Sequence, residues 1–140
     1  MDTLIQLDDI NKSYRSGKTS HRVLTGFTHV FYDHCFTILA GPSGSGKSSL
    51  LNILATLDRP DSGTYTLLGR PVDYHEKTHL TAIRKNYFGF VFQSFNLIPV
   101  LNALENVELP LTLFDYAARE RRQMAATALS LVGLGDRLKS

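Results

Sequence analysis

The stretch ILAGPSGSGKSSLLNIL, residues 38–54, constrains this chain more than any other. Gly41-Pro42-Ser43-Gly44-Ser45-Gly46-Lys47-Ser48 fits G-x-x-x-x-G-K-[ST] at every fixed position. Each residue type has a physical reason. Small residues let the backbone wrap closely, so that successive N–H groups can face phosphate oxygens. A helix starting near Lys47 adds the positive end of its dipole. Lys47 would reach the β- and γ-phosphates of a nucleotide, and the Ser48 hydroxyl would ligate Mg²⁺. Ordinary residue usage produces the pattern in roughly one chain in two hundred of this length. A strand pattern before the loop and a helix pattern after it weigh further against a chance Gly/Ser turn.

The flanking chain fills in an outline. CFTILAG, leading into the loop, is nearly continuous in apolar character, as in a parallel-sheet strand covered on both faces. Ahead of it, Leu4 to Leu7 alternate like a strand, RSGKTSH (15–21) is a polar turn, and VLTGFTHVF is a second strand. After the loop, leucines at 50, 51, 54 and 57 have the spacing of a helix with one buried face. RPDSG (59–63) is a turn and TYTLLG a strand, followed by a polar stretch to about Asn86. YFGFVFQ is an apolar strand candidate ending at Gln93, and LNALENVELPL is helical up to Pro110. DYAARERRQMAATALSLVGL is the longest helical pattern, with Tyr116, Met124, Leu129 and Val132 on its buried side. Gly133 and Gly135 close it. This order of elements predicts an α/β protein.

Composition narrows the class. A length of 140 residues fits one domain, and 43% hydrophobic with 20% charged residues is a soluble globular balance. A net charge of +2 demands no nucleic-acid partner. Arg119, Arg121 and Arg122 form the densest basic cluster, interrupted by Glu120. A solvated helix face is expected there, ahead of an acidic-lipid or partner contact. Cys35 is the single cysteine and cannot form an internal disulfide, so a reducing compartment is the default. MDTLIQLDDI is acidic where a secretory signal is basic, and no apolar run approaches the ~20 residues of a membrane span. A cytoplasmic protein is expected.

His75-Glu76-Lys77-Thr78-His79 also matches H-E-x-x-H. On one helix face the two histidines would hold Zn²⁺, with Glu76 as general base. Polar residues fill the middle of the motif, and no feature marks Glu105 or Glu108 as a third ligand. A solvated loop or helix start is the favoured reading.

Residues 38–63, with GPSGSGKSSLLNILATLDRPDSG, resemble the ATP-binding subunits of ABC transporters. NKSYRSG and YFGFVFQSFNLIPVLNALENVELPL extend the resemblance over essentially the whole chain. It is greatest to the lipoprotein-release and macrolide-export branch, whose ATP-binding subunits energise membrane subunits that move hydrophobic cargo. The resemblance implies an incomplete P-loop NTPase fold of the ABC ATPase type. Residues 1–93 would form the core with the phosphate loop and Q-loop, and 94–140 the start of a helical subdomain. It implies that Tyr14 stacks on adenine and that Gly41, Pro42, Ser43, Gly44, Ser45, Gly46, Lys47, Ser48 and Ser49 bind ATP. Lys47 and Gln93 would serve catalysis, and Ser48 and Gln93 would approach Mg²⁺. It also implies that the 93–116 region meets a membrane subunit, placing the protein on the inner face of the membrane. Taken alone, Tyr14 would be an ordinary tyrosine and Gln93 unremarked.

Three features of the family are missing from these residues: the LSGGQ-like signature, the apolar strand ending Asp-Glu, and the later histidine. LTLFDY places Asp115 at the end of an apolar run. Pro110 and the following helical pattern make Asp115 an expected helix N-cap or first-turn residue instead. Asp58 sits at the far end of the phosphate-loop helix, remote from any metal there. The expectation is an N-terminal portion, a truncated reading frame or a cut piece, that binds Mg·ATP with little or no hydrolysis. Its unpaired sheet edges would lower stability, and two copies would not form an ATP sandwich. A different P-loop enzyme, such as a small kinase, and a non-enzymatic remnant that binds a membrane subunit are the alternatives.

Overall fold

The computed structural model describes residues 2–140. The chain divides into two compact units, Met1–Gly89 and Phe90–Ser140. The first begins with two 14-residue strands, β1 (Thr3–Ser16) and β2 (Thr19–Tyr32), joined by a tight hairpin. Gly17, at a left-handed φ of 60°, makes that turn possible. Next come α1 (Lys47–Leu54), β3 (Ser62–Leu67), the short β4 (Arg70–Pro71) and α2 (Lys77–Tyr87). The sheet order is β2-β1-β3-β4, and every pairing is antiparallel.

β1 is interrupted at Asp9. Side chains alternate across a strand, and Ile5 and Leu7 face the core. At Asp9, φ is 51° and the register shifts against both neighbours. Beyond this bulge the buried positions become Ile10 and Lys12, so the odd-numbered inner face becomes an even-numbered one. Side chains stand in for the interrupted ladder. Asp9 N–H donates to Thr28 Oγ1 (2.9 Å), Gly26 N–H to Asn11 Oδ1 (2.9 Å), and Asn11 Nδ2 to Ser62 Oγ (3.1 Å).

α1 packs on this sheet through Leu50 and Ile53, in one cluster with Ile5, Leu7, Ile10, Leu24, Tyr65, Leu67 and Ile83. Its end is tied down by side chains. Tyr65 Oη donates to Leu54 O (2.8 Å), Tyr74 Oη to Ile53 O (3.1 Å), and Arg84 Nη1 to Thr56 O (2.9 Å). Burial pushes both tyrosine hydroxyls well above their ordinary range, so they remain donors. Leu51 and Leu57, expected on the buried face, are exposed.

Two expected strands are absent. CFTILAG and the YFGFVFQ segment form no ladder, and Phe36 and Val91 stand almost wholly in solvent. Apolar content alone does not make a strand, because each needs a hydrogen-bonding neighbour and this four-stranded sheet supplies none. The polar stretch to Asn86 contains α2, whose single buried residue, Ile83, gives little periodic signal.

The second unit holds α3 (Ala103–Glu108), a 3-10 turn over Leu109–Leu113 that accommodates Pro110, and α4 (Ala118–Leu131). Leu104, Ala125 and Leu129 are its core. Of the side chains expected inside α4, Leu129 is buried, whereas Tyr116, Met124 and Val132 are exposed. Asp115 does not cap α4. Ala117 holds that position, and its N–H donates to Glu120 Oε2 (2.9 Å). Arg121 is not on a freely solvated face, because it pairs with Glu108 (3.6 Å) and donates to Tyr116 O (2.9 Å).

Candidate phosphate-binding site

Gly46 turns the glycine-rich loop into α1. Its φ is 89°, and a Cβ there would come within 2.7 Å of Val23 O, so both conformation and space require glycine. Among the described residues no side chain caps this helix start. The N–H groups of Lys47, Ser48 and Ser49 therefore begin α1 without an intrahelical acceptor, at the positive end of the helix. Lys47 folds back over the loop. Its ammonium donates to Gly41 O (2.8 Å) and Pro42 O (2.7 Å), with Ser45 Oγ at 3.4 Å. Gly41 to Ser45 and Ser48 are exposed. A cationic tip, three backbone donors and a hydroxyl thus converge on an open loop.

A cleft of about 380 Å³ borders the same loop, lined by Leu24, Phe27, Leu39 and Leu50 among others. Gly41, Pro42, Ser45, Gly46 and Lys47 also line it, so apolar walls and the polar loop share this cleft.

Tyr14 lies near the end of β1, paired with His21 of β2. Its hydroxyl donates to Asp58 Oδ2 (2.8 Å). Asp58 also accepts from Lys12 Nζ (2.7 Å) and from the Arg59 N–H (2.8 Å). Partial burial pushes the Asp58 carboxyl up, but hydrogen bonds from Lys12 and Tyr14 and the Lys12 charge outweigh it. The carboxyl is held below the ordinary aspartate range. The sequence reading placed Asp58 away from the loop's start and missed its partners. A lysine two residues before the tyrosine, on the same strand face, was the only available signal.

Gln93 is exposed, in a turn of the second unit. No strand precedes it, and the segment that follows is held by local side-chain hydrogen bonds. Asn106 Nδ2 donates to Ile98 O (3.2 Å), Leu101 O (2.8 Å) and Asn102 O (3.0 Å), and Ile98 N–H donates to Asn106 Oδ1 (2.8 Å). Asn102 and Glu105 form a reciprocal capping box at the start of α3. N-x-x-E is the sequence signature of such a box.

The H-E-x-x-H stretch does not form a zinc helix. α2 begins at Lys77, Glu76 is its extended N-cap, and His75 lies outside, its N–H bonded to Asp73 Oδ1 (2.8 Å). Two histidines share a helix face at that spacing only when both are helical.

A glycine-rich loop turned into a helix by a left-handed glycine, with the lysine folded over it, defines a P-loop NTPase domain. The sequence model of the ABC transporter family matches residues 24–140, and the chain belongs to that family. It is 44% identical over 135 residues to the uncharacterized ABC transporter ATP-binding protein YknY of Bacillus subtilis, covering 96% of this chain and 59% of that one. Identity is also 44% to the macrolide export ATP-binding/permease protein MacB of Marinobacter nauticus, covering 96% of this chain and 21% of that one. Among solved structures, the ATP-binding cassette MJ0796, in a dimeric post-hydrolysis state bound to ADP and Pi, superposes with a TM-score of 0.86. That match has 37% identity and covers 97% of this chain and 60% of the cassette. The chain therefore spans about three-fifths of the length of YknY and of the cassette, and about a fifth of MacB. The fold is that of an α/β ABC-type ATPase cassette. Among the described residues, no helix is long and apolar enough to cross a membrane.

Proposed function

We propose that this chain is the ATP-binding component of an ABC-type export or lipoprotein-release system and that it holds Mg·ATP. The conformation of Gly46 and Lys47 carries this reading, since it leaves the start of α1 open to an anion under a cationic tip. The loop from Gly41 to Ser48, with Ser49, takes the phosphates, and Tyr14 stacks on the base. Mg²⁺ fits the donor set: Ser48 offers an exposed hydroxyl beside Lys47, and Mg²⁺ commonly takes few protein ligands alongside phosphate oxygens and water. Bound there, the ion would neutralise phosphate charge. Gln93 links nucleotide state to a membrane subunit, which meets the 93–116 region on the inner face of the membrane. The exposed Phe95 (82%) and Val100 (88%) beside Gln93 support a contact surface there.

A polypeptide of these 140 residues binds Mg·ATP with little or no turnover. Asp58, four residues past the loop helix, is occupied by Lys12 and Tyr14 rather than free to meet a metal. Calorimetry of Mg·ATP with the parent and with Lys47→Ala, and phosphate release in the same samples, tests both statements. Saturable binding lost in the variant, without turnover, is expected. Equal binding by the two proteins would remove the phosphate loop from the account.

A further inference from the structure

A nearly buried lysine that touches no catalytic group needs an explanation. The Lys12 side chain is 8% exposed. Its ammonium meets Asp58 Oδ1 and Arg59 O, both at 2.7 Å, and lies 5.0 Å from the centroid of the Tyr14 ring. Burying a charge costs desolvation, and a surface strand would carry Lys12 outward had the bulge at Asp9 not reversed the alternation. Tyr14, two residues on, shares the face that carries Lys12. Asp58 divides its two oxygens between them, one to the lysine and one to the tyrosine hydroxyl. The ring is thus held at its tip and by the cation over it, while Tyr14 remains 40% exposed.

Asp58 is in turn fixed to the phosphate-loop helix. It follows α1 by four residues, and hydrogen bonds from Tyr65, Tyr74 and Arg84 immobilise Ile53, Leu54 and Thr56 between them. An eight-residue helix rises about 12 Å. One rigid piece therefore carries the phosphate grip at its start and the tether of the aromatic ring just past its end.

We propose that Lys12 and Asp58 are positioning residues that lock the Tyr14 ring relative to the phosphate-loop helix, so that the site receives base and phosphates at one set separation. This rests on the role of Tyr14 as the base platform. A ring already fixed needs no ordering when a base stacks on it, whereas a loosened ring loses that freedom on binding. Freeing the ring should weaken ATP by about 3- to 10-fold and leave tripolyphosphate untouched.

The test measures the dissociation constants of Mg·ATP and Mg·tripolyphosphate for the parent chain, Tyr14→Ala, Tyr14→Phe and Asp58→Ala. Tyr14→Phe keeps the ring and the Lys12–Asp58 pair and removes only the tether, so it decides the matter even if Asp58→Ala does not fold. The expected result is weaker ATP binding in all three variants, greatest in Tyr14→Ala, with tripolyphosphate binding unchanged. A Tyr14→Phe protein that binds ATP like the parent, while Tyr14→Ala does not, would overturn the positioning role and leave the base platform standing. Parent-like ATP binding by Tyr14→Ala would overturn both.

Discussion

The two units are held together in different ways. In residues 2–89, strands distant in sequence and the loop helix converge on one apolar cluster, and side-chain hydroxyls and a guanidinium secure the end of that helix. In residues 90–140 the core is Leu104, Ala125 and Leu129, and local polar devices do much of the fixing: the Asn102–Glu105 box, the Asn106 bonds and the Arg121–Glu108 pair. Burial over long sequence separations gives cooperative rigidity, whereas short-range hydrogen bonds open individually. A phosphate grip needs the first kind of support, because its donors must be in place before the ligand arrives. A contact surface for a partner tolerates the second.

Removing burial from the first unit should have the largest effect. Ile53 is fully buried on the inner side of the loop helix, so Ile53→Ala should cost about 3–4 kcal/mol in urea unfolding and weaken Mg·ATP binding along with it. A small effect would mean that α1 is not held by the sheet.

Next comes the ion pair. Asp58→Asn leaves the Lys12 ammonium buried without its counter-charge, at a cost of about 3 kcal/mol. The pH dependence has a definite sign. The folded-state pKa of Asp58 is depressed, so the stability it contributes is present above the ordinary aspartate value of about 4. It is lost as pH falls from there through the lower folded value. Parent stability should decline in that window, and Asp58→Asn should lack that component, as read from urea midpoints between pH 2 and 7.

Leu129→Ala, in the second unit, should cost about 2 kcal/mol, since its few and partly exposed neighbours can relax. Hydrogen exchange should rise over 103–138 and stay unchanged in β1 and α1. Asn102→Ala should be smallest, about 1 kcal/mol, and confined to faster exchange at the start of α3. Global loss of protection from either change would erase the contrast between the units.

The sequence was most informative where structure is local. The G-x-x-x-x-G-K-S run gave the loop and the start of α1, because its meaning lies in backbone conformation and short spacing. The closing role of Gly133, at φ 77°, was legible for the same reason, whereas the turn expected over RPDSG is cut short: Ser62 and Gly63 already belong to β3, and a turn falls at Leu68 and Gly69 instead. CFTILAG and YFGFVFQ misled because strand formation depends on a neighbour, which a run of apolar residues does not reveal. Leu51 and Leu57 after the loop, and Tyr116, Met124 and Val132 around α4, misled in a second way, although Leu50 and Leu129 are buried as expected. Helical periodicity names a stripe, but packing selects which part of it is covered, and Ile53 and Ala125 took places assigned to Leu51 and Met124. The Lys12–Asp58–Tyr14 contacts were hidden by a one-residue bulge. Without the shift at Asp9, strand alternation would have put Lys12 on the outer face.

Amide hydrogen exchange over the described chain, with and without Mg·ATP, tests the account most directly. Added protection over 41–50 and around Tyr14, with none over 103–131, is the predicted result. Protection confined to 103–131, or absent everywhere at saturating nucleotide, would contradict it.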